Sequence, residues 1–184
     1  MFDGDYNITG THATKLKFLA RKNAQDDGPD DTVVSAKLFE RYIDVYMNAA
    51  VWGLLYDRTA SVDNKSKDRA RIYSDAYSKE RDNCFFLYRL VMLLEKKTNA
   101  SQEERIDRAF RYDSQPEKAD ELKACLDLFH SYVRGGIEVM YEKLTDGCST
   151  RDDYLTRIYD VMKQFKQELD GSFYEAGMEE LLDF

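Results

Sequence analysis

Proline and glycine are scarce in this chain, whose 184 residues include two prolines and nine glycines. Both residues weaken helices, so their scarcity, together with 34% charged residues, favours an all-α protein over a sheet protein. No Val-, Ile- and Thr-rich alternation competes with that interpretation. We therefore predict a single-domain helical bundle of about six helices, two of them central and apolar.

Cysteine is also scarce. Cys84, Cys125 and Cys148 are an odd number at wide spacing, which fits neither a disulfide framework nor a zinc site. We expect reduced thiols and a cytoplasmic protein. No apolar run approaches the roughly 20 residues that cross a bilayer, and no basic segment followed by an apolar one opens the chain. We therefore expect no membrane partner.

Motifs for enzymatic chemistry are missing as well. The chain has no G-x-G-x-x-G, no G-x-x-x-x-G-K-[ST] and no G-x-S-x-G, so neither a phosphate loop nor a nucleophile elbow is predicted. His12 and His130 are the two histidines, and Asp127 with His130 has the i, i+3 spacing of carboxylate-bridged metal bundles. The second such motif is absent, so a surface or capping histidine is favoured over a metal ligand. We predict no catalytic residue, metal or cofactor, and we favour a protein that is not an enzyme.

Two segments have the pattern of strongly apolar helices. The first runs from Leu38 to Arg58, and Gly53 within it predicts a close approach to a neighbouring element. The second is the end of a long helix predicted from Asp68 to Lys97, where the run from Phe85 to Leu94 is apolar around most of the circumference. Their matching character predicts that the two helices pack together at the centre of the fold.

Charged residues within these apolar helices form the first candidate site. Arg41 and Asp44 lie in the first helix, and Arg89 lies in the second. Because an isolated buried charge is costly, we favour an ion-pair cluster of these three residues. Two alternatives remain open for Arg89: its head group reaches water while its stem packs, or it binds a ligand or phosphate.

Local signals mark several helix ends. Ser101 starts a capping-box sequence, and Pro116 suits the first residue of the next helix. Gly135–Gly136 are expected to end or kink that helix. Gly147 has the position of a C-cap, and Thr150 is expected to open the last amphipathic helix.

A basic stripe is the second candidate site, and two tyrosines, Tyr73 and Tyr77, lie within it. Its members are Lys65, Lys67, Arg69, Arg71, Lys79 and Arg81. Such a stripe could contact the phosphates of a nucleic acid. Acidic residues are interspersed along the same segment, so a solvated helix with i, i+4 pairs is favoured over a nucleic-acid surface.

The C-terminal tail is the third candidate site. We divide the chain into a helical domain, 1–170, and an acidic amphipathic tail, 171–184. The tail contains acids and no base, and six large apolar residues that suit partner binding: Phe173, Tyr174, Met178, Leu181, Leu182 and Phe184. Both folding back on the chain's own body and insertion as a short helix into a partner's groove are consistent with this composition.

The segment FERYIDVYMNAAVWGLLYDR resembles a patch in small accessory proteins of bacterial DNA phosphorothioation (Dnd-type) and related phage-defence loci. Seven residues carry the resemblance: Tyr42, Asp44, Ala49, Ala50, Gly53, Tyr56 and Arg58. It covers about 20 of the 184 residues. The resemblance implies a small non-catalytic component that acts beside larger DNA-processing enzymes, and it assigns no catalytic or binding residue.

Together these observations predict a non-catalytic accessory or regulatory protein that acts through protein–protein contacts. Self-association is a further expectation, because 13% of the residues are aromatic. The alternative is a weak nucleic-acid-binding protein that uses the basic stripe. A small enzyme is the third alternative, and a pocket formed around Arg41, Asp44 and Arg89 would be its site.

Overall fold

The fold is predominantly helical, as predicted. The computed structural model describes residues 1–20 and 38–182, and along the last helix it describes the side chains of 152–167. Within these residues it contains seven α-helices and one two-stranded sheet. The chain divides into two compact units, Met1–Tyr141 and Glu142–Phe184.

Nine elements follow one another along the chain. They are β1 (Tyr6–Thr9), α1 (Gly10–Leu19), α2 (Tyr42–Leu55), β2 (Arg69–Ile72), α3 (Ser74–Lys79), α4 (Arg81–Leu94), α5 (Gln102–Phe110), α6 (Ala119–Thr145) and α7 (Arg151–Leu182). Two short 3₁₀ turns, Tyr112–Ser114 and Pro116–Lys118, precede α6. No helix within the described residues combines the length and the apolarity that a membrane span requires.

The small sheet corrects the prediction of one helix from Asp68 to Lys97. Residues Arg69–Ile72 instead form β2, which pairs antiparallel with β1 so that Ile8 faces Ala70. Arg-Ala-Arg-Ile alternates between exposed and buried side chains, which is the period of a strand. Its partner strand lies about sixty positions earlier in the chain, so no nearby segment indicated a sheet. The alternation is only four residues long, and the helix-forming residues around it made a helix the favoured prediction.

The first apolar helix is shorter than predicted, because α2 begins at Tyr42 rather than near Leu38. Arg41 is extended, and its backbone N–H donates to Asp44 Oδ2 at 3.1 Å, which satisfies a free donor at the helix start. The acidic side chain in the first turn also opposes the positive end of the helix dipole.

Helices α2 and α6 cross at extremely close range. A Cβ atom on Gly53 would lie 2.1 Å from the carbonyl oxygen of Tyr132, and one on Gly136 would lie 1.8 Å from that of Ala49. Only residues without a Cβ allow the two backbones this approach. Gly53 thus marks a close approach, as predicted. Gly135 and Gly136 do not end the helix, as had been expected, because α6 continues through them to Thr145.

Helices α2 and α4 pack together, as their matching character predicted. Arg41 at the start of α2 pairs with Glu80 just before α4, with Nη2 and Oε1 2.8 Å apart. Asp57 just after α2 pairs with Lys97 beyond the end of α4 at 2.9 Å. The two 14-residue helices thus lie parallel, with an ion pair at each end.

Aromatic rings fill the interior of the first unit. The Phe129 ring lies 5.9 Å from Tyr46 and 5.8 Å from Tyr88, both in edge-on geometry. Phe2 stacks on Tyr77 at 5.6 Å and meets Phe129 edge-on at 6.0 Å. Such pairs stabilise a core beyond the burial of their area by about 1 kcal/mol each.

The caps predicted for the later helices are present. The Ser101 hydroxyl accepts from the backbone N–H of Glu104 at the start of α5. Gly147 has a φ of +72°, which suits a glycine after α6. Thr150 and Asp153 exchange side-chain and backbone hydrogen bonds at the start of α7. The backbone of α7 continues to Leu182, so the boundary predicted after residue 170 falls inside a helix.

Candidate functional site

The predicted charged cluster is only partly assembled. Arg41 donates from Nε to Asp44 Oδ2 at 3.1 Å and from Nη2 to Glu80 Oε1 at 2.8 Å. These hydrogen bonds raise the pKa of Arg41, with the bond to Asp44 the larger cause. The cluster is exposed at the start of α2, and its carboxylates are occupied by the arginine. Its role is to fix the ends of α2 and α4.

Arg89 does not join this cluster. Its guanidinium lies 5.6 Å from the ring centroid of Phe85 and 5.2 Å from that of Phe110. Its Nε is buried without a hydrogen-bond partner among the described residues. Phe85 lies on α4 beside Arg89, whereas Phe110 lies on α5, so the second cation–π contact joins the two helices. This arrangement favours a structural role over a ligand site.

The basic stripe is divided between engaged and unengaged residues. Arg71 pairs with Asp5, Lys79 lies 3.9 Å from Asp75, and the Arg81 guanidinium lies over the Phe85 ring. Lys65, Lys67 and Arg69 are exposed and have no ion pair within the described part of the chain. They lie in the loop before β2 and at its first position, not along the predicted helix.

The tail residues predicted to bind a partner lie beyond the side chains that the structure describes. Phe184 lies outside the described residues, and the side chains of the others lie outside the described part of α7. Those others are Phe173, Tyr174, Met178, Leu181 and Leu182. The prediction for the tail therefore stays a prediction.

Sequence reasoning missed a half-buried polar network around Glu138. His12 Nε2 donates to Glu138 Oε1 at 3.0 Å, and Arg58 donates to Glu138 Oε2 at 3.0 to 3.2 Å. His12 and Glu138 are 126 positions apart and belong to helices with no shared motif. No signal in the sequence could have paired them.

This network has the groups of an acid–base site but not its access. The His12 side chain is 4% exposed, and Nδ1 is buried without a partner among the described residues. Burial lowers the pKa of His12 although Glu138 acts to raise it. A general base must reach the proton it abstracts, so the geometry favours a structural tie between α1, α6 and the loop after α2.

His130 packs against aromatic side chains rather than lying on the surface or capping a helix. Its ring stacks on Tyr6 at 4.0 Å, and Nε2 lies 3.1 Å from the hydroxyl of Tyr46. Burial, reinforced by Arg134, lowers the pKa of His130 to about 3. Within residues 1–20 and 38–182, no three His, Cys, Asp or Glu side chains are grouped to hold a metal ion.

The last helix carries the most exposed apolar surface in the second unit. Leu155, Tyr159 and Met162 are 56%, 66% and 63% exposed, and Phe165 is 42% exposed. Their spacing of i, i+4 and i+7 places the first three along one side of α7. We call Leu155, Tyr159, Met162 and Phe165 the α7 stripe. The sequence predicted an amphipathic helix here but gave no indication that these four side chains are exposed.

Neighbouring residues explain why the stripe is uncovered within its unit. Tyr154 and Leu144 are both buried, and Arg157 Nε donates to the Lys143 carbonyl at 2.8 Å. This hydrogen bond ties one side of α7 to the end of α6. Leu155, Tyr159 and Met162 lie on another side of the helix, where all three side chains are more than half exposed. Such a contiguous arrangement marks an interaction surface more often than single exposed apolar residues do.

Comparison with known proteins adds no functional information. No family model matches the chain, and neither a curated protein nor a solved structure matches it significantly.

Proposed function

We propose that this protein is a non-catalytic accessory protein that acts through protein–protein contacts made by the α7 stripe. The observation that carries the proposal is the exposure of Leu155, Tyr159 and Met162 at i, i+4 and i+7. Anchors at this spacing are how an amphipathic helix binds an apolar groove or another helix. Burial of each such side chain contributes about 1.5 to 3 kcal/mol.

The charged clusters give less support to an enzyme. Asp44 and Glu80 are engaged by Arg41, and Glu138 is engaged by His12 and Arg58. The thiols of Cys84 and Cys125 are buried, and burial raises the pKa of both. Each group that could serve as a base or nucleophile in these places is thus paired or shielded.

The cellular context is part of the same proposal. Three free cysteines fit a reducing compartment, so we place the protein in the cytoplasm. The Dnd-type resemblance suggests a DNA-modification or phage-defence locus. Several residues that carry it have structural roles: Ala49 and Gly53 form the crossing with α6, and Arg58 pairs with Glu138.

Affinity capture from the native cell tests the proposal. The tagged wild type is compared with two tagged variants. The stripe variant, Leu155→Glu/Met162→Glu, places charge on the α7 stripe. The control variant, Thr156→Glu/Gln167→Glu, adds the same charge at exposed positions on another side of α7. The wild type and the control are expected to capture the same proteins, identified by mass spectrometry, and the stripe variant to lose them. Capture of the same proteins by a folded stripe variant would refute the proposal.

A second candidate function is weak nucleic-acid binding. The observation that favours it is the exposed, unengaged group Lys65, Lys67 and Arg69. Fluorescence polarisation with single- and double-stranded DNA at increasing salt tests it, because phosphate contacts weaken steeply with salt. Reversal of the three charges should abolish binding, and no binding at low ionic strength eliminates this function.

A further inference from the structure

Alternate side chains are exposed along the segment that leads into α3. Ala70 and Ile72 of β2 are buried, whereas Arg69, Arg71 and the next odd-numbered residue, Tyr73, are exposed. Tyr73 is itself extended, with φ −79° and ψ 153°, so the alternation of the strand continues through it. Two arginines and a tyrosine therefore lie on the exposed face of this segment.

Two lysines continue the same spacing in the loop before β2. Lys65 and Lys67 are exposed and, like Arg69, have no ion pair within the described part of the chain. We call Lys65, Lys67, Arg69, Arg71 and Tyr73 the β2 row. Every second position from 65 to 73 thus holds a cationic side chain or an exposed tyrosine. Since the segment is a loop and a strand, the i, i+4 pairs of a solvated helix do not account for its charges.

The carboxylates that alternate with these cations in the sequence are engaged by other groups. Asp63 accepts from the backbone N–H of Thr11 at 2.9 Å and from that of Lys65 at 2.8 Å. These two hydrogen bonds lower the pKa of Asp63 to about 2. Asp68 pairs with Lys17 of α1. The acids are thus used within the fold, and the positive charge of the β2 row is left available to an external anion.

Arg71 and Tyr73 give the β2 row an aromatic end. The Arg71 guanidinium pairs with Asp5 and lies 5.1 Å from the Tyr73 ring centroid. Tyr73 is 38% exposed, and no other ring among the described residues stacks on it. Tyr77, the other tyrosine of the basic stripe, is 1% exposed and belongs to the core. Tyr73 is therefore the ring of this segment that a nucleobase can reach.

We propose that the β2 row binds single-stranded nucleic acid, with phosphates along Lys65, Lys67 and Arg69 and an unpaired nucleobase stacked on Tyr73. This inference rests on the second candidate function, because it names the form of nucleic acid that the same side chains bind. Proteins that hold single strands combine a cationic track for the backbone with aromatic rings for the nucleobases. The nucleobases of a duplex are enclosed in its own stack and do not reach such a ring.

Fluorescence polarisation at low ionic strength tests the stacking on Tyr73 with two labelled probes, an oligothymidine of about 20 nucleotides and a duplex of the same length. Tyr73→Ala should weaken binding of the single strand by at least about fivefold and leave duplex binding unchanged. Tyr73→Phe keeps the ring and should bind both probes like the wild type. Equal single-strand binding by Tyr73→Ala and the wild type, or an equal loss in both variants, overturns the inference.

The salt dependence of single-strand binding tests the phosphate contacts. Each contact contributes about 0.7 to the slope of log K against log salt concentration, so Lys67→Gln/Arg69→Gln should lower that slope by about 1.4. The control, Lys96→Gln/Lys123→Gln, removes the same charge from exposed lysines after α4 and on α6 and should keep the wild-type slope. Equal slopes for the two variants, with circular dichroism spectra like that of the wild type, overturn the inference.

The inference and the second candidate function can fail separately. Binding of both probes that is unaffected by Tyr73→Ala but lost on reversal of Lys65, Lys67 and Arg69 overturns the single-strand inference and leaves nucleic-acid binding in place. Absence of binding to either probe at low ionic strength overturns both. The proposed role of the α7 stripe is independent of these outcomes.

Discussion

Gly53 lies so close to Tyr132 that no other residue fits: a Cβ atom there would be 2.1 Å from the Tyr132 carbonyl oxygen. The atom in the way is backbone, which cannot rotate aside as a side chain can. The crossing of α2 and α6 is therefore fixed by the absence of a single methyl group.

Gly53→Ala should accordingly destabilise the fold. The expected loss of unfolding free energy is about 2 to 3 kcal/mol. The added methyl group forces one helix to shift, and the cost of that shift exceeds the roughly 1 kcal/mol by which alanine is normally favoured over glycine in a helix. Urea unfolding followed by circular dichroism measures it. Gly4→Ala is the control, since nothing lies within 4 Å of a Cβ atom there. Equal stability of the two variants would mean that the helices separate freely.

Glu95 is a buried carboxylate, and Arg108 is its cationic partner. The Glu95 side chain is 0% exposed, and Arg108 Nη1 lies 3.5 Å from Oε1. Arg108→Met should cost about 3 kcal/mol, because it leaves a buried charge without its counter-ion. Adding Glu95→Gln should recover part of that loss. Arg111→Met, which breaks an exposed pair with Asp107, should change stability by no more than about 0.5 kcal/mol.

His130 should make the protein less stable in acid. Its folded pKa is about 3, below the unfolded value of about 6.5, so the unfolded chain binds a proton that the folded chain does not. Stability is fully present above about pH 6.5 and is lost as the pH falls towards 3, by up to about 1.4 kcal/mol per pH unit.

Replacement of this histidine isolates its contribution. His130→Gln removes the titrating group, so its unfolding free energy should fall less steeply than that of the wild type between about pH 6.5 and pH 4. Urea unfolding at several pH values measures both slopes. Equal slopes would show that His130 titrates normally in the folded protein.

The three cysteines should differ in reactivity. Cys84 and Cys125 are buried, and burial raises the pKa of Cys84 to about 12, whereas Cys148 is partly exposed. Because the thiolate is the reactive form, iodoacetamide should modify Cys148 first in the folded protein and all three after unfolding. Peptide mass spectrometry over time checks the order. Rapid modification of Cys84 without unfolding would contradict its burial.

Features with a local cause could be predicted from the sequence. Ser101, Gly147 and Thr150 act through hydrogen bonds or dihedral angles of their own turn, and the structure confirms all three caps. Gly53 is an intermediate case: the missing side chain predicted a close approach, but nothing in the sequence indicated that Tyr132 is the neighbour.

Features that depend on distant partners could not be predicted. β2 forms because β1 is available to pair with it, and Glu138 is satisfied because His12 and Arg58 lie against it. Arg89 has two aromatic neighbours, one from each of two helices, instead of the predicted carboxylate. The amphipathic character of α7 was visible in the sequence, but the exposure of the α7 stripe depends on what else packs against α7.

The contact between His12 and Glu138 also bears on how quickly the chain folds. It joins positions 126 residues apart, and the β1–β2 pairing joins residues about 60 apart. The chain must close both large loops before these contacts can stabilise it, at an entropy cost that local helical contacts do not have. Although most of its residues are helical, this protein should fold at the rate of a mixed α/β domain rather than at that of a simple helical bundle.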